Sequence, residues 1–356
     1  MKIVIATGGS GGHIFPAILT AEELRKRGNE IIFVGTFGVW KDTVAKYGFL
    51  MEELPARGLS GNSIVYCFVF LHAMFKSIIQ SFRLFNRLKP DAVLGFGGYG
   101  AFPFVFVSAF LRVPAVIHEQ NVYPGRANKL LSRMVKRIAV SFTRSRDFFS
   151  SGKTVVTGCP CRVKTEGVSK EELLKKFGLD NKKFTILVLG GSQGSHRINS
   201  EFIRCIPELK KDLDFQVIHV SGDKDYERLN NEYKQMDIKF YLTAFLDAIE
   251  EAYGICDLAL SRAGAVTVHE LAAFCIPCIL VPYPYAGGHQ RLNADSLAEI
   301  GLADILEEKE LSAERLKEAI FVKAREGFER STQMMKEKEF FNPHAAQNLA
   351  NEVMNL

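Results

Sequence analysis

Cysteine is scarce in this sequence: the seven present are odd in number and scattered along the chain. That argues against a disulfide framework and for a reducing compartment. Two close pairs, Cys159/Cys161 and Cys275/Cys278, are too irregularly spaced for a zinc ribbon. Cys275 ends an apolar helical pattern, which suits a buried thiol. Charge of one sign is also lacking. A net charge of +5 over 356 residues is too mild to argue for nucleic acid, and none is expected as a partner. The greasiest run, residues 64–75, meets Lys76 and reads as too short to span a bilayer. The first residues, MKIVIATGG, enter a strand and a glycine loop without the regions of a signal peptide. A soluble or peripheral protein is expected.

What the chain has is length and regular alternation. It is 47% hydrophobic and 24% charged, ordinary globular composition, and at 356 residues too long for one core, so two domains are expected. Residues 2–6 (KIVIA) read as a short strand, followed by a glycine loop and an amphipathic pattern over 14–27 that Gly28 stops. Further apolar strands are expected at 30–34, 91–95, 114–118 and 136–140. After residues 154–161 (TVVTGCPC) the pattern restarts, with a charged helix over 169–177 and strands within 184–194, 215–222, 238–242, 256–260 and 275–283. Strands apolar throughout, alternating with helices, predict parallel sheets buried on both faces. The fold class is therefore α/β, with doubly wound domains at 1–158 and 159–339. From residue 313 the chain reads as helical and charged until Pro343 breaks it. Two such domains side by side would leave a cleft at the carboxyl ends of their strands, where ligands of open α/β sheets bind.

The loop Thr7-Gly8-Gly9-Ser10-Gly11-Gly12-His13 lets backbone N–H groups turn toward an anion, and the following helix adds a favourable dipole. One such loop reads equally as an ordinary strand-to-helix turn. A Walker loop would need Lys-Ser/Thr where His13-Ile14 stands, and a dinucleotide site an acid where Val34-Gly35-Thr36 stands. NAD is therefore disfavoured. Gly95-Phe96-Gly97-Gly98-Tyr99-Gly100 and Gly190-Gly191-Ser192-Gln193-Gly194 repeat the arrangement after two other strands. Glycine loops in both domains suggest that one grips a donor diphosphate while the others shape an acceptor pocket.

The richest constellation is residues 261–271 (SRAGAVTVHEL). Its small residues permit close approach of a phosphate, which Thr267 and free N–H groups can bind, and Glu270 can accept from two ribose hydroxyls. Alone, Glu270 reads better as an acid favoured near a helix N-terminus. Residues 285–293 (YAGGHQRLN) form a polar loop entering a helix, where Gln290 and Asn293 share a face.

Taken together, GGSGGHIFPA, LGFGGYGAFP, HEQNVYPGRANK, LGGSQGSHRIN, SRAGAVTVHELAA and the 290–293 segment resemble the MurG family of peptidoglycan glycosyltransferases, in order and over essentially the whole chain. The resemblance implies the GT-B architecture: two Rossmann-like doubly wound parallel-sheet domains facing across a cleft, with a helix at 340–356 packing back on the first. It implies inverting transfer of N-acetylglucosamine from UDP-GlcNAc to the C4 hydroxyl of MurNAc in undecaprenyl-pyrophosphoryl-MurNAc-pentapeptide, lipid I to lipid II. That reaction serves peptidoglycan synthesis, cell shape and division. On the donor side it implies Leu246 at the uracil and Glu270 on the ribose. Ser192 and Thr267 would contact the diphosphate, with Arg162 near, and Ala265, Gln290 and Asn293 would line the sugar. Val266, Val268 and His269 complete that segment. Ser10, Gly11, Gly12, His13, Gly97, Gly98, Tyr99, Asn121 and Asn128 fall on the acceptor side. The chain departs from the family at Cys159-Pro160-Cys161-Arg162, where Asn-Pro-Val-Arg is usual, at His269 for Ser, and at His289 for Gln.

Attack by the acceptor hydroxyl needs a base, and His is the side chain most readily poised for this near neutral pH. His13, at the loop–helix junction, is the candidate. Glu119 is the second, unless it only braces its loop. Leaving-group charge can be met by loop N–H groups, the helix dipole and Arg162, so no metal or other cofactor is expected. Asp223-Lys224-Asp225 resembles a metal-binding DxD but reads as a helix cap.

Between Leu54 and Pro90 there is no acidic residue, while Arg57, Lys76, Arg83, Arg87 and Lys89 all fall there. Phe68, Leu71, Phe75, Ile78, Phe82 and Phe85 recur among them at helical spacing. An aromatic stripe with basic flanks suits an anionic inner leaflet, and residues 102–111 could add to the patch. A helix packed on the sheet explains part of the stripe equally well, but not the missing acids. The expected location is peripheral, at the cytoplasmic face of the cell membrane, with cell-wall synthesis proteins as further partners. The rival readings are another UDP-sugar-dependent glycolipid glycosyltransferase and a nucleotide-sugar sensor without turnover.

Overall fold

The apolar run after Met1 forms β1 (Lys2–Gly8), buried from Ile3 onward, with its side chains alternating between two cores. The computed structural model describes residues 1–58, 64–162, 167–191, 194–285, 288–334 and 340–356, with residues 326–334 described by backbone alone. They fall into two units, Met1–Cys161 with Asn342–Leu356, and Arg162–Phe341.

In the first unit β1 is followed by α1 (Gly11–Lys26), β2 (Glu30–Thr36), α2 (Lys41–Lys46), β3 (Leu50–Glu53), α3 (Ile64–Leu88), β4 (Ala92–Gly95), α4 (Gly98–Phe110), β5 (Ala115–Glu119), α5 (Arg126–Leu131), β6 (Arg137–Val140) and β7 (Thr154–Val156). The strands are parallel and ordered β3-β2-β1-β4-β5-β6-β7. The winding reverses between β1 and β4, where Ile3 lies between Ile31 and Ala92. Ile3 and Ile5 of β1 face the core that α1 closes, and Val4 and Ala6 face the one that α3 and α4 close. This is the period of two that a sheet covered on both faces requires.

The second unit contains α6 (Lys170–Lys176), β8 (Phe184–Leu189), α7 (His196–Leu209), β9 (Phe215–Val220), α8 (Tyr226–Lys234), β10 (Phe240–Thr243), α9 (Ile249–Tyr253), β11 (Leu258–Ser261), α10 (Ala265–Ala273), β12 (Cys278–Leu280), α11 (His289–Glu299), β13 (Ala303–Ile305) and α12 (Ala313–Met334). Its parallel strands are ordered β10-β9-β8-β11-β12-β13, the Rossmann arrangement again, reversing between β8 and β11. Ser169 and Glu172 form a reciprocal capping box at the start of α6.

After Phe341 the chain rejoins the first unit as α13 (Ala345–Met354). Leu349, Ala350 and Val353 are buried in the core beneath α1, and Arg27 Nη1 donates to Asn351 Oδ1 at 2.6 Å. The break between units falls after Cys161, where the sequence suggested Gly158. The Gly158 carbonyl bonds to His118 Nε2 at 3.1 Å and Cys159 is buried, which ties this segment to the first unit. The strand expected from Cys275 begins only at Cys278, because Cys275 adopts a left-handed φ of 54° and Pro277 has no N–H to pair.

Candidate active site

In the first unit the loops after β1 and β4 meet where the winding reverses. A Cβ on Gly8 would lie 2.1 Å from the Thr36 carbonyl oxygen, and one on Gly100 2.4 Å from Thr36 Oγ1, so only glycine fits. Gly98 packs against the His13 ring and the Gly8 carbonyl, and Gly9 against the Tyr99 ring. Gly11 is buried beneath Trp40, while Gly12 is exposed. Ser10 holds the cap position of α1 but makes no side-chain bond to the helix backbone; its Oγ lies 2.9 Å from His13 Nδ1. The half-buried His13 ring is pushed down to about 4 by burial, so the imidazole is neutral at pH 7.

The next loop is organised around Glu119, which is 1% exposed. Its carboxylate accepts from the Asn121 amide N–H at 2.9 Å, Asn121 Nδ2 at 3.1 Å, the Gly125 N–H at 3.0 Å and Asn128 Nδ2 at 2.9 Å. Four donors surround the carboxylate, which makes Glu119 a brace for this loop and leaves no free lone-pair site for a base. Asn128, itself buried, supports Gly97 from below.

In the second unit the small-residue turn after β11 leads into α10. Gly264 occupies the cap position without a side-chain bond, so the first-turn N–H groups are left for an anion. Thr267 is half-buried beside them. Gln290 Oε1 accepts from the N–H groups of Ala263 and Tyr283 at 3.2 and 2.9 Å, and Asn293 Nδ2 donates to the Ala263 carbonyl at 3.2 Å. The two amides expected along the sugar thus hold the turn on which α10 starts. The Val268 and His269 side chains are both buried, and His269 Nδ1 bonds back to the Ala265 carbonyl at 2.8 Å. Ala265 is buried and Val266 half-buried.

One turn into α10 stands Glu270, 8% exposed, whose Oε2 accepts from Tyr253 Oη at 3.0 Å. Burial pushes its carboxyl up to about 7, against the lowering influence of the Tyr253 hydrogen bond and of Arg162. Arg162 Nη1 pairs with Glu250 at 2.9 Å and donates to the Asp247 carbonyl, next to the half-buried Leu246. Ser192 lies outside the described residues.

Two contributors were missed in the sequence. Arg262, 8% exposed, donates to the Val281 carbonyl at 3.1 Å and to Ser195 Oγ at 2.8 Å, and pairs with Glu308. A lone cation in a turn of small residues was its signal. Tyr253, at the end of a short helix, had none. Asp225 holds the cap position of α8 as expected, but its carboxylate makes no bond to the helix backbone and accepts instead from His196, Asn199 and Arg228 at 2.8, 2.9 and 3.0 Å. Among the described residues no cluster of three His, Cys, Asp or Glu side chains gathers as a metal site would need.

The basic, aromatic segment forms α3, which continues through Lys76 to 25 residues. It is thus long and apolar enough to cross a membrane by length and composition, contrary to the expectation from residues 64–75. Its C-terminal half packs on α4: Ser77, Ser81, Leu84 and Phe85 are buried, with Phe85 stacked on Phe104 at 4.3 Å. Phe85 is therefore core. Phe82 is half-buried edge-on to Phe110, and Arg87 pairs with Glu52 at 2.7 Å. Phe68, Leu71, Phe75, Lys76 and Arg83 are exposed. Of residues 102–111 only Phe110 and Leu111 join that open surface, at 68% and 40% exposure.

The chain matches known proteins along its length. The glycosyltransferase family 28 N-terminal domain matches residues 3–140 and the family 28 C-terminal domain residues 185–349. A UDP-N-acetylglucosamine–N-acetylmuramyl-(pentapeptide) pyrophosphoryl-undecaprenol N-acetylglucosamine transferase of Halothermothrix orenii is 36% identical over 362 residues, covering 99% of this chain and 98% of the relative. The protein of the same name from Thermodesulfovibrio yellowstonii is 38% identical over 327 residues, or 90% and 89% of the two chains. The crystal structure of Acinetobacter baumannii MurG aligns over 100% of this chain and 99% of that one, with a TM-score of 0.75 at 26% identity. By sequence and fold over its whole length, this chain belongs to the MurG family of N-acetylglucosamine transferases within glycosyltransferase family 28.

Proposed function

We propose that this protein transfers N-acetylglucosamine from UDP-N-acetylglucosamine to the C4 hydroxyl of MurNAc in undecaprenyl-pyrophosphoryl-MurNAc-pentapeptide, with inversion at the anomeric carbon. The observation that carries the donor half is the pairing of an uncapped α10 N-terminus with the buried Glu270 one turn further on. The first suits a diphosphate and the second a ribose diol. The family likeness supplies the sugar and the acceptor.

The acceptor oxygen attacks the anomeric carbon as the bond to the β-phosphate breaks and UDP leaves. His13 accepts the hydroxyl proton. For that role Nδ1–H donates to Ser10 Oγ, which leaves the Nε2 lone pair free for the hydroxyl. The negative charge of the substrates' phosphates raises the affinity of this neutral imidazole for a proton as the reaction proceeds. Glu119 positions the acceptor loop. Charge on the departing diphosphate is met by the first-turn N–H groups of α10 and by Thr267, and the reaction proceeds without a metal. Arg162 reaches the diphosphate by exchanging Glu250 for it.

The exposed half of α3, with Phe110 and Leu111, rests on the anionic inner leaflet from the cytoplasmic side, where a lipid-linked acceptor is held. Proteins of cell-wall synthesis are the partners expected there.

The test is transfer of radiolabel from UDP-N-acetylglucosamine into a short-chain lipid-linked MurNAc-pentapeptide with EDTA present. Label in the lipid supports the reading, including metal independence. UDP-sugar binding with no transfer to this acceptor, but transfer to another glycolipid, would replace the acceptor half.

A further inference from the structure

Tyr253 is the last residue of α9, buried at 3% exposure, and its hydroxyl meets Glu270 Oε2 at 3.0 Å. It stands beside the site without being part of the α10 turn. The bond uses one lone pair of Oε2. It anchors one edge of the carboxylate and leaves Oε1 with open acceptor capacity. A vicinal diol offers two hydroxyl donors whose partner must be correctly oriented and ionised.

We propose that Tyr253 is a positioning residue for recognition of the nucleotide ribose: it aims the Glu270 carboxylate at the 2′,3′-diol and keeps it in the anionic, accepting form. The inference rests on the reading of Glu270 as the ribose partner. Among the described residues, the charged and titratable groups that act on Glu270 are Tyr253 and Glu250 from α9 and Arg162 from the segment after β7. Burial raises the carboxyl most, Tyr253 and Arg162 lower it and Glu250 raises it, and together they leave it at about 7. Tyr253 donates to the charged form, so its removal favours the proton. Ribose binding then requires a higher pH.

The test compares wild type with Tyr253→Phe, measuring the affinity of the full chain for UDP and for 2′-deoxy-UDP by calorimetry from pH 6 to 9. Thermal unfolding of the ligand-free proteins establishes that both are folded. Wild type is expected to prefer UDP over 2′-deoxy-UDP. In the variant, UDP affinity at pH 7 is expected to fall about ten-fold, as for loss of a hydrogen bond to a charged group. Part of that loss should be recovered at pH 9, where the carboxyl is ionised without the tyrosine, with the preference for UDP reduced at neutral pH. A variant that binds UDP as wild type does overturns the inference, as does one weakened equally toward UDP and 2′-deoxy-UDP at every pH; either leaves Glu270 on the ribose. A wild type that binds both nucleotides equally removes the Glu270 reading itself, and the inference with it.

Discussion

Arg262 Nη2 donates to Ser195 Oγ at 2.8 Å, and this bond ties the turn that starts α10 to the cap of α7. The two residues follow β11 and β8, the neighbouring strands at which the second sheet reverses its winding. The spacing of the two turns is set by a buried guanidinium that also holds Glu308 and the Val281 carbonyl.

Arg262→Ala leaves Ser195 Oγ and the Val281 carbonyl without this donor and Glu308 without its cation. Stability is expected to fall by about 3 kcal/mol, the cost of breaking a buried ion pair. UDP affinity should drop as well. Arg262→Lys keeps the charge but not the fork, and should recover stability more fully than affinity. Denaturant unfolding and UDP titration on the same samples separate the two effects.

His13→Ala is expected to lower kcat by about 10²- to 10⁴-fold, the usual contribution of a positioned acid–base group. The Kd for UDP should not change, because His13 lies in the first unit and the donor residues in the second. Ser10→Ala, which removes only the partner of Nδ1, should cost less than His13→Ala. A Ser10 variant as impaired as His13→Ala would argue that the loop, rather than the imidazole, was lost.

Glu270→Gln replaces an ionisable acceptor by an amide. The KM for UDP-N-acetylglucosamine should rise about 10- to 100-fold, in line with hydrogen bonds to charged groups. The wild-type KM should rise as pH falls below about 7, where the carboxyl takes up its proton, and the variant should be nearly flat. Initial rates at several pH values with saturating acceptor provide the check.

Stability should respond to acid with a sign that three groups set. Burial holds His13 at about 4 and His219 at about 3. The unfolded chain therefore takes up protons from about pH 6.5 downward that the folded chain does not, and stability falls on acidification. Glu270, raised to about 7, acts in the opposite sense: between its unfolded pKa and 7 it holds a proton that the unfolded chain has released. The Tm should decline between pH 6.5 and 4.5, and more steeply in Glu270→Gln, which lacks the opposing group. A shallower decline in that variant would refute the assignment.

The two halves of α3 should behave differently. Serine at Phe68, Leu71 and Phe75 should reduce binding to vesicles containing anionic lipid and leave transfer to a short-chain acceptor in detergent intact. Phe85→Ala removes a ring stacked on Phe104 and should instead destabilise the unit by about 3 kcal/mol or more. Flotation and thermal unfolding discriminate between them.

The sequence by itself determined the α/β alternation, the Rossmann-like halves and the positions of the glycine loops. These follow from local rules: buried parallel strands are apolar throughout, and backbone that must take a left-handed φ or approach another strand closely needs glycine. Gly8, Gly98 and Gly100 were legible for that reason, and so was the turn before Glu270. Only the tertiary structure decided what the polar side chains at these loops hold. Glu119 faces four donors contributed by residues up to nine positions away. Gln290 and Asn293 reach back to Ala263, Arg262 reaches Ser195, and Tyr253 reaches Glu270. On α3 the helical period was visible, but Phe75 and Phe85 differ only in whether α4 lies over them. Hydrogen bonds and burial between residues far apart in sequence depend on where strand order brings them, and that information is not carried by the identity or spacing of the residues concerned.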